Sequence, residues 1–92
     1  MNNSNQIYQE QIGSNIARMR KCAGFKQHQI ADILNVSLKT ISNWEHGKGV
    51  DITLLIELSK LFDCKIIDFF MGINILESHE VFFVNKLLTK LT

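Results

Sequence analysis

The side chains best suited to chemistry lie between residues 37 and 48, where hydroxyl, amide, lysine and imidazole groups follow one another. Lysine, amide and hydroxyl groups donate hydrogen bonds to phosphate oxygens. The sequence has no Ser/His/Asp arrangement, no phosphate-cradling glycine loop and no paired carboxylates, and His28, His46 and His79 are not spaced as metal ligands. The predicted chemistry is therefore binding of a polyanion, with no catalysis, no metal and no cofactor.

The charge distribution points the same way, although the net charge is only +1. Residues 12–49 hold six basic and two acidic side chains, an excess of four positive charges. Residues 50–92 hold four lysines and six acids, an excess of two negative charges. This asymmetry predicts a polyanion-binding face in the first half of the chain. The alternative is chance, because an excess of this size is modest.

Length and composition limit the class of protein. A chain of 92 residues, 46% hydrophobic and 21% charged, corresponds to one globular domain with a modest core. It contains no apolar run of about 18 residues and no signal peptide pattern. Cys22 and Cys64 are too sparse for a disulfide framework or a zinc site. We expect both as reduced thiols in the core of a cytoplasmic protein.

The elements that must position the polar stretch are helical, because the chain lacks proline and spaces its apolar residues irregularly. Residues 1–11 are predicted to be a flexible arm, residues 12–72 a five-helix domain and residues 73–92 a separate segment. The fifth helix is expected over Lys65–Met71. The apolar positions expected to face the core include Ile16, Ile30, Ala31, Ile33, Leu34, Ile41, Trp44, Leu54, Leu55, Leu58, Leu61 and Phe62.

Two short helices are predicted, one over Gln27–Leu34 and one from Leu38 to Glu45 or His46. They are joined by only three residues, a spacing typical of a helix-turn-helix unit. Ala31 is small, as the close crossing of the helices requires. Asn35 tolerates a left-handed backbone. Ser37 is predicted to cap the second helix, and Asp51 is predicted to cap the helix Ile52–Phe62.

From Ile12 to Gly72 the chain resembles the Cro and phage-repressor (Xre-like) helix-turn-helix family. The segments that carry the resemblance are IGSNIARMRKCAGFKQHQIADILNVS, LKTISNWEHGK and DITLLIELSKLFDCKIIDFFMG, about two thirds of the chain. The resemblance implies an all-α, lambda-repressor-like fold that binds double-stranded DNA. Three departures stand out: Lys26 replaces a capping Thr or Ser, Asn35 replaces Gly, and the loop after Gly47 lacks the usual Pro and is one residue short.

The candidate DNA contacts follow from geometry and from this resemblance. With Ile41 and Trp44 inward, the second helix of the unit presents its outward residues to the major groove. Matching the family motif places base readers at Leu38, Lys39 and Asn43, although Leu38 could instead be an ordinary exposed leucine. Asn43 suits adenine, and Lys39 suits guanine or a phosphate. The remaining candidates for DNA contact are Gln27, Ser37, Thr40, Ser42, His46 and Lys48.

Arg20 has the chemistry of a phosphate ligand, but the resemblance implies a different role. In family members the matching Arg pairs with the Glu that corresponds to Glu45. That ion pair would fix the first helix to the end of the recognition helix. We therefore expect Arg20 and Glu45 to be a structural pair, and Trp44 to pack in the core rather than to stack on bases.

The C-terminal segment is strongly apolar between Val81 and Leu91, where seven of eleven residues are hydrophobic. At helical spacing these residues form one stripe, which exposed to water would promote aggregation. The favoured interpretation is a homodimer contact. An extra helix folded back on its own chain and a strand at VFFV remain open alternatives. The residues predicted in the dimer interface are Val81, Phe83, Val84, Leu87, Leu88 and Leu91.

These features predict a small transcriptional regulator that represses by occluding a promoter and binds a palindromic operator as a homodimer. The alternative is a protein-interaction module, an antitoxin or antagonist whose C-terminal segment docks on a partner protein. Size-exclusion chromatography after co-expression with the products of neighbouring genes would distinguish these two interpretations, because only the interaction module predicts a heteromeric complex.

Overall fold

A computed structural model describes residues 3–73 of the protein. Four α-helices follow one another in this part of the chain: α1 (Asn3–Cys22), α2 (Gln27–Leu34), α3 (Leu38–Glu45) and α4 (Ile52–Phe62). A short 3-10 helix at Ile66–Phe70 comes last. The predicted all-α class is confirmed, and α2 and α4 have the predicted bounds. The predicted fifth α-helix is instead this single tight turn, a form typical of short connecting helices.

The first helix begins much earlier than expected. Residues 3–11, predicted as a flexible arm, belong to α1 in the structure, which corrects the boundary placed at Ile12. Two physical reasons account for the extension. Residues 3–12 contain neither glycine nor proline, so nothing interrupts the helix. In addition, the backbone of α1 at Gln9 lies directly against Gly47, and this tertiary contact supports a helix end that would otherwise fray.

Local hydrogen bonds set the helix ends. The Ser37 hydroxyl accepts from the Thr40 backbone N–H at 3.0 Å, and an Asp51 carboxylate oxygen accepts from the Leu54 N–H at 2.8 Å, as the sequence predicted. Lys26 supplies no side-chain cap to α2. Instead the Gln29 side chain accepts from the Lys26 N–H at 2.8 Å, which satisfies one of the free donors at that end.

The core forms where α1 packs against α3, α4 and the 3-10 helix. In addition, α2 packs against α3, and α4 packs against the 3-10 helix. Phe69, in the 3-10 helix, is fully buried, so this short element closes the domain. Two expectations were wrong: Ile33 is 53% exposed on α2, and Cys22 is exposed at the end of α1. The buried hydrophobic residues are Ile16, Ile30, Ala31, Ile41, Leu54, Leu55, Leu58, Phe62 and Phe69.

The thiol of Cys64 is partly buried, unlike that of Cys22. Burial, helped by the negative charges of Asp68 and Asp63, raises the pKa of the Cys64 thiol. A raised pKa keeps the group protonated and unreactive at neutral pH.

The predicted C-terminal segment begins at residue 73, and all but its first residue lies outside the described part of the chain. The predicted interface residues from Val81 to Leu91 therefore stay predictions. No helix between residues 3 and 73 is long and apolar enough to cross a membrane.

Candidate nucleic-acid interface

The turn between α2 and α3 has the geometry that the sequence predicted. Asn35 adopts a left-handed backbone with φ 55° and ψ 49°. This allows the Val36 N–H to donate to the Ala31 carbonyl at 3.0 Å, which ends α2 and redirects the chain. Ala31 is buried at 6% exposure, consistent with the need for a small side chain where the helices cross.

The first turn of α3 projects into solvent. Leu38 is 52% exposed and Lys39 is also exposed, whereas Ile41 is buried at 2% and anchors the helix from the other side. The free backbone N–H groups at this end carry partial positive charge, which favours a nearby phosphate. Leu38 and Lys39 are therefore accessible to a ligand from solvent.

The hydroxyl groups of this turn are already engaged. The Ser37 and Thr40 hydroxyl oxygens lie 2.8 Å apart, and the Ser37 oxygen also accepts from the Thr40 N–H. The Ser37 side chain therefore caps the N-terminus of α3. Each hydroxyl can still share a further hydrogen bond with a phosphate, because Ser37 is exposed and Thr40 is half-buried.

Backbone carbonyl groups in the last turn of α3 have hydrogen-bond partners in the residues that follow the helix. The His46 Nδ1 lies 2.7 Å from the Ser42 carbonyl oxygen, which orients the exposed imidazole. The Lys48 N–H donates to the Asn43 carbonyl at 2.8 Å, so the loop folds back on the helix. Lys48 is exposed, whereas Ser42 and Asn43 are partly buried. The loop thus places the Lys48 charge beside the helix end.

A buried ion pair joins α1 to the end of α3. The Arg20 Nε lies 2.6 Å from the Glu45 Oε2, and the two side chains are 9% and 8% exposed. The Arg20 Nη2 donates to the Glu45 Oε1 at 3.3 Å, and its Nη1 donates to the Phe25 carbonyl at 2.7 Å. This fork-shaped arrangement is the strong form of an Arg–carboxylate contact. The structure thus brings together the two residues that the resemblance paired.

Gln27 belongs to the same network. Its side-chain Nε2 donates to the Glu45 Oε1 at 3.0 Å. The sequence suggested that this side chain holds a phosphate, but here its amide group is engaged within the protein. The Gln27 backbone N–H lies at the start of α2, where backbone donors have no partner within an α-helix. The sequence could not reveal the Glu45 contact, because the two residues are 18 positions apart.

A glycine pair brings α1 and the end of α3 into backbone contact. A Cβ atom at Gly13 would come within 2.8 Å of the Glu45 carbonyl oxygen and would clash with the Gly47 nitrogen. A Cβ at Gly47 would clash with the Gln9 backbone, and Gly47 also has φ +82°. Glycine inside a helix costs about 0.5–1 kcal/mol. The close approach explains why a glycine occupies position 13 inside a helix. In the sequence, the only sign of this contact is a glycine within an otherwise helical pattern.

Asn15 is a second residue that the sequence analysis missed. It is 2% exposed, and its Nδ2 donates to the Phe69 carbonyl at 2.8 Å and the Met71 carbonyl at 2.7 Å. Its Oδ1 accepts from the Arg18 Nη2 at 2.9 Å. Asn15 thus fastens the 3-10 helix to α1. The sequence offered one sign of this role. Asn15 lies on the same helix face as the apolar residues Ile12 and Ile16, and a polar residue buried on such a face needs hydrogen-bond partners.

The residues predicted to contact DNA lie on α3, in the residues directly before and after it, and at the start of α2. Within residues 3–73 no cluster of histidine, cysteine or carboxylate side chains could hold a metal ion. Lys39 and Lys48 are exposed cations at opposite ends of α3, and the only acid in that helix, Glu45, is neutralised by Arg20. The resulting surface is a two-helix unit with a cationic, solvent-facing second helix. This is the arrangement of a helix-turn-helix DNA-binding domain.

The comparison with known families agrees with this geometry. The model of the helix-turn-helix family matches residues 16–69, which include all of α2, α3 and α4. The chain belongs to this family, of the Cro and phage-repressor type that its sequence resembles. The matched part of the chain is a helix-turn-helix domain, the kind of domain that binds DNA.

The chain is also similar to the competence pilus inhibition repressor of Acinetobacter baylyi (strain ATCC 33305 / BD413 / ADP1). The two sequences are 36% identical over 61 residues, which is 65% of this chain. The matched region spans only 56% of the length of that relative. No solved structure matches the chain.

Proposed function

We propose that this chain is a repressor that binds a palindromic operator as a homodimer, with α3 of each subunit in the major groove. The observation that carries the proposal is the uneven restraint on α3. Its last turn is fixed to α1 by the Arg20–Glu45 pair and by the backbone contact at Gly47. Its first turn is exposed at Leu38 and Lys39. A rigid helix with a free N-terminal turn suits base readout.

The proposed roles follow from chemistry and position. Lys39 donates to guanine O6 and N7, Asn43 pairs with adenine, and Leu38 packs on a thymine methyl group. The phosphate contacts come from both sides of α3. We assign them to the Gln27 backbone and to Ser37, Thr40, Ser42, His46 and Lys48.

The proposed dimer supplies affinity that one subunit lacks. A single recognition helix reads only a few base pairs, whereas two helices about 34 Å apart read two half-sites separated by one DNA turn. We assign the symmetric contact to the apolar residues between Val81 and Leu91, because a two-fold interface must be complementary to itself. Bound across a promoter, the dimer represses transcription by occlusion. The name of the relative supports repression rather than activation.

Selection from randomised DNA tests the proposal. We expect the full chain to enrich an inverted repeat with half-sites about 10 base pairs apart. Lys39→Ala should relax the preference at one position in each half-site. Lys60→Ala removes an equally exposed lysine from α4 and serves as the control that leaves the motif unchanged. Recovery of a single unrepeated site would contradict the palindrome, and recovery of no motif would contradict sequence-specific binding.

A further inference from the structure

An apolar groove lies beside the end of α3, between α1 and the start of α4. It has a volume of about 180 Å³, and its apolar lining is formed by Ile12, Val50, Ile52, Leu55 and Phe70. Ile52 is 59% exposed although it occupies the first turn of α4, where any polar residue would fit. Exposed apolar side chains that line a groove are one feature from which an interaction site is inferred.

The groove continues to the point where the described chain ends. Phe70 also lines a neighbouring surface that includes Ile67, Met71 and Ile73. Ile67 is 67% exposed and Met71 is 52% exposed. Residue 73, the last described residue, lies on this apolar surface, and the sequence that follows it carries the apolar residues between Val81 and Leu91.

We propose that the groove of each subunit receives residues 81–91 of a second copy of this chain. The proposal rests on the homodimer of the proposed function and names the surface that the C-terminal segment contacts. Two complementarities support it. Seven of the eleven residues are apolar, as are most of the residues that line the groove. The charges in the segment are Lys86 and Lys90, and the charged residue lining the groove is Asp51.

The connecting residues favour a second copy over the same chain. Residues 74–80, NILESHE, contain neither glycine nor proline, the residues that most strongly mark a reversal of the chain. Fully extended, seven residues span at most about 25 Å, so residue 81 can lie about that distance from residue 73. A reciprocal exchange across a two-fold axis makes the same contact twice, so one sequence pattern builds the whole interface.

The groove also connects dimer formation to DNA recognition. Gly47 lines the groove, and it directly follows His46, the last capping residue of α3. A segment held in the groove would contact the junction that fixes α3 to α1. Exchange between subunits would therefore both join two recognition helices and brace each of them.

Cross-linking between differently tagged copies tests the exchange. In a full-length background with Cys22→Ser and Cys64→Ala, one tagged copy carries Ile52→Cys and the other carries Leu87→Cys. After mixing and treatment with a short bis-maleimide reagent, we expect a covalent product that contains both tags. The control replaces Ile52→Cys with Ile33→Cys, a similarly exposed isoleucine on α2, and should give no product.

The alternative outcomes separate this proposal from the homodimer itself. A chain carrying both Ile52→Cys and Leu87→Cys that cross-links only within itself would show that the segment folds back on its own subunit, which overturns the exchange. A dimer without any cross-link would place the interface elsewhere and also overturn the exchange, while the homodimer stands. A wild-type chain that light scattering finds monomeric would overturn both proposals.

A second variant tests the groove without cysteine chemistry. Ile52→Asp should raise the dimer dissociation constant at least tenfold, because the new carboxylate would lie in an apolar contact. Since Ile52 is largely exposed in the subunit, the thermal melt should stay cooperative. Ile33→Asp is the matched control and should leave the dissociation constant unchanged. An unaltered dissociation constant for Ile52→Asp would overturn the proposal.

Discussion

Removing both partners of the Arg20–Glu45 pair should destabilise the fold by less than the sum of the two single removals. Arg20→Ala leaves the Glu45 carboxylate, 8% exposed, with the Gln27 amide as its remaining neighbour in the network. Glu45→Ala leaves the Arg20 guanidinium, 9% exposed, with the Phe25 carbonyl. In each single variant a nearly buried charge loses its counter-charge. In the double variant neither charge remains.

The size of the effect follows from this burial. Breaking a buried ion pair by removing one partner costs about 3–5 kcal/mol. We expect about 3 kcal/mol for each single variant, since a neutral hydrogen-bonding partner remains in both. Contacting residues in one network couple by about 0.5–3 kcal/mol, so the double variant should lose about 4 kcal/mol rather than 6. For a domain of this size about 3 kcal/mol lowers Tm by about 12–24 °C.

Urea unfolding at low temperature, followed by Trp44 fluorescence and by circular dichroism, measures the free energy of unfolding of the wild type, of the two single variants and of the double variant. Lys21→Ala, an exposed basic residue beside Arg20 on α1, is the control and should stay within about 0.5 kcal/mol of wild type. A double variant that loses the full sum of the two single losses would show that the side chains are not coupled. DNA titrations under conditions where Arg20→Ala is folded provide a second check, since a shallower salt dependence would return Arg20 to the phosphate contacts.

Three further predictions concern DNA and assembly. Lys48→Ala should weaken binding to specific and non-specific DNA about equally. It should also reduce the slope of log K against log salt by about 0.9 per subunit, or about 1.8 for the bound dimer, as titrations over a salt series would measure. An altered sequence preference with an unchanged slope would contradict this prediction. Asn43→Ala and Lys39→Ala should each lose about 1–3 kcal/mol of discrimination at one base pair, scored by randomised-site selection, with the thermal melt unchanged. Phe83→Asp combined with Leu87→Asp should give a folded monomer by light scattering with DNA affinity reduced at least tenfold, whereas a persistent dimer would place the interface elsewhere.

The features that the sequence predicted correctly are those decided by neighbouring residues. Ser37 and Asp51 cap their helices through groups three positions away, and Asn35 takes its left-handed backbone from its own side-chain size and chemistry. Helix periodicity likewise located α2 and α4. These interactions are complete within one or two turns, so the residue types and their spacing determine them.

The features that the sequence did not reveal depend on contacts between distant residues. Gln27 has the chemistry of a phosphate ligand, and only the fold brings its amide to Glu45. Cys22 has an apolar side chain, but its place at the end of α1 leaves it exposed. The close approach of Gly13 to Gly47 depends on how two distant chain segments cross in the fold, and residue spacing alone does not predict that crossing.

The position of these long-range contacts has a consequence for specificity. They all hold the last turn of α3 or its junction with α1, and the buried Ile41 anchors the middle of the helix. Leu38 and Lys39 lie outside this set of restraints. Surface substitutions away from caps and buried networks usually change stability by less than about 0.5 kcal/mol, so this turn can change its base preference at little cost in folding. Changes at Glu45 or Gly47 would instead destabilise the fold, because these residues hold the end of α3 against α1.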